Sequence, residues 1–195
     1  MNWEIALPEA LARDPHLAAH TAPQMDSEAF AGFYERSARP LWAYLARTSG
    51  DPALAEDLMQ ESYVRFLCAA QAPSLESEGE VAARLYLFRI GTNLLRDHWR
   101  RPRASSIEEV AEEFFAANGC AAQAERRMEL APALKQMKPR ERQLLWLAHA
   151  EGYSHREVAQ VMGLAAASVR LLLFRARRKM AKLLREQDAP AGRAL

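Results

Sequence analysis

The sequence is poor in cysteine. Its 195 residues include two, Cys68 and Cys120. That excludes a disulfide framework and suits a reducing compartment. The pair also lacks the spacing of a zinc site, so both read as plain thiols. No apolar run is long enough to cross a membrane. The opening residues, MNWEIALPEALARD, lack the positive start and long apolar stretch of a secretory signal. A soluble, cytoplasmic protein with no membrane insertion is expected. Net charge is almost absent, with 26 basic against 25 acidic residues, so attraction to nucleic acid must come from local patches. Sustained two-residue alternation is missing, which argues against any sheet. There is no phosphate loop, dinucleotide fingerprint or nucleophile–base–carboxylate frame. The chain is therefore expected to be no enzyme and to need no cofactor. His16 and His20 stand four apart, but a polar arm is a simpler reading than a metal site.

What is present is helical periodicity, and half the residues are hydrophobic, enough for real cores. An all-α fold of two small helical domains is expected. Residues 1–26, with Pro8, Pro15 and Pro23, read as a loose arm. Residues 27–101 form the first domain, with Pro40 marking a kink or break in its first helix. Asp51 and Pro52 open the next helix as cap and first residue. A third helix runs from Val81 to Arg101 and stops at Pro102. Residues 102–123 form a flexible linker, acidic at Glu108, Glu109, Glu112 and Glu113. Residues 124–187 form the second domain, and 188–195 a frayed tail.

The densest signal lies between Lys138 and Leu184. It reads as a helix, a short helix, a turn at Gly163 and a long basic helix, the helix-turn-helix layout. Ser154 and Glu157 form a capping box before the short helix. From Ser168 to Arg185 there are seven Lys or Arg and no carboxylate. Val169, Leu173, Ala176, Met180 and Leu183 make one apolar stripe. The opposite face carries Arg170, Leu171, Phe174, Arg175, Arg178, Lys182 and Arg185, which points to DNA or RNA.

Two further faces carry chemistry. At about 100° per residue, Arg89, Asn93, Arg96 and Arg100 share a stripe on the third helix, opposite Leu87, Ile90 and Leu94. Tyr86, Phe88, His98 and Trp99 interleave aromatics with those cations, as stacking on unpaired bases requires. On the second helix Asp57, Gln60 and Glu61 share one face. Such an acidic face suits a basic partner; a solvated face with a Glu61–Arg65 pair is the bland alternative.

Three stretches resemble the extracytoplasmic-function (ECF) sigma factors. FAGFYERSARPLWAYLARTSGDPALAEDLMQESYVRFL is similar to their polymerase-binding region. LYLFRIGTNLLRDHWRRPR is similar to their promoter-melting helix, and the block from Leu134 to Leu184 to their C-terminal domain. The resemblance implies two partners, core RNA polymerase and promoter DNA, with an anti-sigma factor as a further expectation. It implies that Asp57, Gln60 and Glu61 dock on the polymerase clamp helices. It implies that Arg89, Asn93, Arg96, Trp99, Arg100 and Arg101 serve the minus-ten element, and that a loop from about Ala70 to Ala83 holds a flipped base. Ser168, Arg170, Leu171, Phe174, Arg175 and Arg178 would serve the minus-thirty-five element, and the acidic linker would thread the polymerase channel. Departures exist: Ala165 replaces a small polar residue, and Arg170-Leu171-Leu172 replaces a Lys-Ser-Arg run. Two rivals stand beside this reading. One is a dimeric helix-turn-helix regulator of duplex DNA; the other is a sigma-like protein-interaction module with reduced promoter reading.

Overall fold

The computed structural model describes residues 27–69, 72–75, 77–100 and 130–188. The expected arm, the whole of the expected linker, and the tail from 189 on lie outside them, as do His16, His20, Arg101 and Cys120. The described elements are helices: α1 Ser27–Ser49, α2 Pro52–Cys68, α3 Gly79–Arg100, a short α4 described over 130–135, α5 Pro139–His149, α6 His155–Met162 and α7 Ala166–Asp188.

α1 runs through Pro40 without the break that is one of the two sequence expectations there. Pro40 lacks an N–H, which in a helix interior costs about 3 kcal/mol. On either side Phe33, Leu41, Tyr44 and Leu45 are fully buried. Each large side chain contributes about 1.5–3 kcal/mol on burial, so four of them outweigh the lost bond. α2 starts as its sequence dictates: the Asp51 carboxylate accepts from Leu54 N–H at 3.0 Å, with Pro52 first in the helix.

α1, α2 and α3 enclose Phe33, Tyr44, Phe66, Leu87 and Phe88. The hydroxyls inside this core are satisfied. Ser37 bonds Phe33 O at 2.6 Å and Tyr63 Oη at 2.7 Å, and Tyr44 Oη meets Thr92 Oγ1 at 2.8 Å, joining α1 to α3. Burial pushes the Tyr63 phenol up to about 12, against the lowering effect of Ser37. Gly91 lets the three helices close: a Cβ there would lie 3.2 Å from Leu41 Cδ1 and 3.3 Å from Ser62 Oγ.

The second unit is built on caps. The Glu141 carboxylate accepts from Lys138 N–H at 2.8 Å, half of a capping box, since lysine offers no acceptor in return. Around Ser154 the full box forms, with Ser154 N–H to Glu157 at 2.7 Å and Glu157 N–H to Ser154 Oγ at 3.3 Å. Gly163 ends α6 at φ 63°, the left-handed region. α6 and α7 then cross at 98°, within the helix-turn-helix range. Val158, Val161, Met162, Val169, Leu173 and Ala176 fill the angle.

The two units touch. α5 packs on α1 and α6 on α3, and one continuous apolar cluster runs through both. No single helix among the described residues is long and apolar enough to cross a membrane.

Candidate nucleic-acid interface

α3 presents its cationic stripe because its opposite face, through Leu87, Gly91, Leu94 and Leu95, is buried. Arg89, Asn93, Arg96 and Arg100 are exposed, as their spacing predicts. They are not equivalent. Arg89 stacks over the half-buried Tyr86 ring, 5.3 Å from its centroid. Arg100 lies 4.0 Å from Asp97. Arg96 donates to Met162 O of the second unit at 2.8 Å and reaches Asn93 Oδ1 at 3.4 Å. Trp99 is half-buried against the core.

Phe88 corrects the sequence reading. It is fully buried, packed beside Tyr44 and edge-on to Tyr153, so it cannot stack on a base. Residues 79–83, read by resemblance as the end of a loop, are the first turn of α3.

On α2, Asp57, Gln60 and Glu61 share one side. Asp57 is exposed and makes no hydrogen bond among the described residues. Gln60 donates to Glu56 at 3.3 Å, and Glu61 pairs with Arg65 at 2.7 Å. Val64, 44% exposed, falls between them, seven residues after Asp57 and four after Gln60. Sequence reasoning missed it; an apolar residue at i+4 and i+7 on a polar face was the available signal.

On α7 the expected face is open. Ser168, Arg170, Arg175 and Arg178 are exposed, with Leu171 at 51% and Phe174 at 58% exposure among them. Not every cation of the run is free. Lys179 pairs with Glu141 of α5 at 2.7 Å, which fastens α7 to α5. Lys182 lies 3.6 Å from Glu186. α7 thus offers Arg170, Arg175 and Arg178 around two large apolar side chains, a surface suited to phosphates and thymine methyl groups.

Sequence reasoning also missed Arg84 and Glu151. Arg84 Nη2 meets Glu151 Oε2 at 2.6 Å across the seam between the units. Trp146 Nε1 donates to the other carboxylate oxygen at 3.0 Å. Nothing local announces this pair, whose members stand 67 residues apart.

Two family models match the chain: Sigma-70 region 2 over residues 33–105 and Sigma-70 region 4 over residues 127–180. The ECF RNA polymerase sigma factor SigL of Mycobacterium tuberculosis is 28% identical over 164 residues, covering 78% of this chain and 87% of SigL. The RNA polymerase sigma factor CarQ of Myxococcus xanthus is 30% identical over 174 residues, covering 85% of this chain and 95% of CarQ. Among solved structures, the sigma factor RpoE of Bartonella quintana, in complex with the anti-sigma factor NepR, superposes with a TM-score of 0.65. Its identity is 21%, over 81% of this chain and 98% of that one.

Proposed function

Because this chain belongs to the ECF family of RNA polymerase sigma factors, we propose that α2 holds core polymerase while α3 and α7 engage promoter DNA. Family membership makes it a promoter-recognising sigma factor, a non-catalytic role in transcription initiation. The observation that carries the division of labour is three separate faces on three helices. α2 offers Asp57, Gln60, Glu61 and Val64; α3 offers Arg89, Asn93, Arg96, Trp99 and Arg100; α7 offers Ser168, Arg170, Leu171, Phe174, Arg175 and Arg178.

Each face has the chemistry its partner demands. Carboxylates around an apolar residue suit a basic protein surface, where the apolar centre is desolvated and the charges fix orientation. A guanidinium–amide stripe edged by aromatics suits melted DNA, whose phosphates need cations and whose bases need rings. A helix N-terminal half bearing arginines, leucine and phenylalanine suits the major groove. Arg101, outside the described residues, joins this set by family resemblance alone. We also propose an anti-sigma factor as a further partner and the cytoplasm as the site of action, both as expectations of family membership.

Two variants test the assignment. The double substitution Asp57→Arg with Glu61→Arg should weaken capture of core polymerase while helicity is kept; unchanged capture would sink the α2 face. Changing Arg89, Asn93 and Arg100 to alanine should depress open-complex formation more than initial duplex binding. Permanganate footprinting reads this, and equal thymine exposure in variant and parent would mean the stripe is merely solvated.

A further inference from the structure

We infer that the chain rests in a self-docked state in which the turn of its own helix-turn-helix occupies Arg96 and Trp99, with Arg84–Glu151 as the latch. This rests on the reading of Arg96 and Trp99 as minus-ten contacts. Met162 is the last residue of α6. Its carbonyl is one of the acceptors a helix leaves unpaired at the negative end of its dipole. Arg96 donates to that carbonyl at 2.8 Å, so its guanidinium holds a partially negative oxygen where a phosphate oxygen would sit. Trp99, Gly163 and Leu164 line the same crevice, about 470 Å³ in volume. With its ring half-buried there, Trp99 is a poor stacking platform.

The latch lies about three helical turns back along α3. The Glu151 side chain is only 6% exposed, yet it is ionically paired. Both its oxygens are used, one by Arg84 and one by Trp146. A buried carboxylate of this kind depends on its partner, because an unpaired charge there carries the full desolvation cost. Arg84 also lies 5.6 Å from the Phe88 ring centroid, and Phe88 meets Tyr153 edge-on at 5.7 Å. The seam is not fully satisfied: Arg84 Nε is buried without a hydrogen-bond partner among the described residues. Opening returns that group to water, which favours a reversible contact over a permanent one.

The docking is selective. Arg96 is exposed apart from the nitrogen it gives to Met162 O, and Arg89, Asn93, Arg100 and the reading face of α7 stay exposed as well. Only the edge of the α3 stripe nearest α6 is taken. Self-docking therefore competes with single-stranded DNA for Arg96 and Trp99, and apparent affinity is reduced by the fraction of molecules that are open.

The test uses the full chain and a fluorescein-labelled 12-nucleotide single-stranded DNA of random sequence. Glu151→Gln keeps the shape and the acceptor for Trp146 but removes the charge. It should enlarge the radius of gyration in small-angle scattering and tighten DNA binding by roughly five- to tenfold. Adding Arg96→Ala should abolish most of that gain. Arg84→Gln is the second opening variant, with helicity checked by circular dichroism, and stands in if Glu151→Gln fails to fold. Expansion without tighter binding overturns the proposal and places the fault in the minus-ten reading. No expansion and no gain in either variant overturns the latch, while the permanganate experiment tests the minus-ten reading separately.

Discussion

Replacing Gly91 by alanine sets two opposed effects of similar size against each other. Gly91 lies in the interior of α3 with ordinary helical backbone. An alanine there restricts the unfolded chain and favours the helix by about 0.5–1 kcal/mol. Against this, the new methyl would sit 3.2 Å from Leu41 Cδ1, 3.3 Å from Ser62 Oγ and 3.5 Å from Leu45 Cδ2. Those neighbours cannot move freely. Leu41 and Leu45 are fully buried, and Ser62 Oγ is tied to Leu58 O at 2.6 Å. Overpacking a filled core costs about 1–3 kcal/mol. The balance is a loss of about 1 kcal/mol. Urea denaturation of the full chain should show a lower midpoint at unchanged slope. The steric source has its own signature: Ser62→Ala removes the hydroxyl contact, so Gly91→Ala should cost about 0.5 kcal/mol less in that background. A Gly91→Ala protein more stable than the parent would mean that α1 and α2 yield without penalty, and the account of this three-helix contact would be wrong.

Further outcomes follow from other sites. A Cβ at Gly163 meets nothing within 4 Å, so Gly163→Ala should cost only the left-handed backbone penalty, about 1 kcal/mol by thermal unfolding, and Gly163→Asn less. Changing Arg170, Arg175 and Arg178 to alanine should reduce the slope of log affinity against log salt for duplex DNA by about 3. Leu171→Ser removes no charge, so it should leave that slope alone but relax a thymine preference in binding-site selection; identical motifs from parent and variant would mean that Leu171 reads no base. Acid stability has a defined sign. Burial raises the Glu141 carboxyl, but the Lys179 ammonium and the Lys138 N–H overcome it, and Ser154 lowers Glu157. Both groups therefore stabilise the fold above their ordinary value of 4.5 and lose that contribution as pH falls below it. Glu141→Gln and Glu157→Gln should each flatten part of the fall in melting temperature below pH 4.5, and an unchanged acid limb would contradict the assignment.

Local chemistry was the legible part. The cap at Asp51, the box at Ser154 and Glu157, the left-handed Gly163 and the apolar stripe of α7 are each written within a few residues, and each is found. Contacts between distant segments were not legible. Phe88 read as a stacking aromatic because its neighbours are cations, but its true partners, Tyr44 and Tyr153, lie far away in sequence. Lys179 read as one of the unbalanced cations because its carboxylate, Glu141, is 38 residues distant. Pro40 read as a kink or break because propensity is local, whereas the burial that carries α1 through it without a break is tertiary. Direct packing of the two helical units was invisible for the same reason: Arg84 and Glu151 look like ordinary surface charges until α3 meets the turn between α5 and α6.

Transcription reconstituted from core RNA polymerase, this chain and a promoter library with randomised upstream sequence tests the central claim most directly. The account predicts transcripts that require the chain, from templates sharing two elements at a fixed separation. Selection of palindromic duplexes in the absence of polymerase, or stable polymerase binding with no transcript from any template, would contradict it.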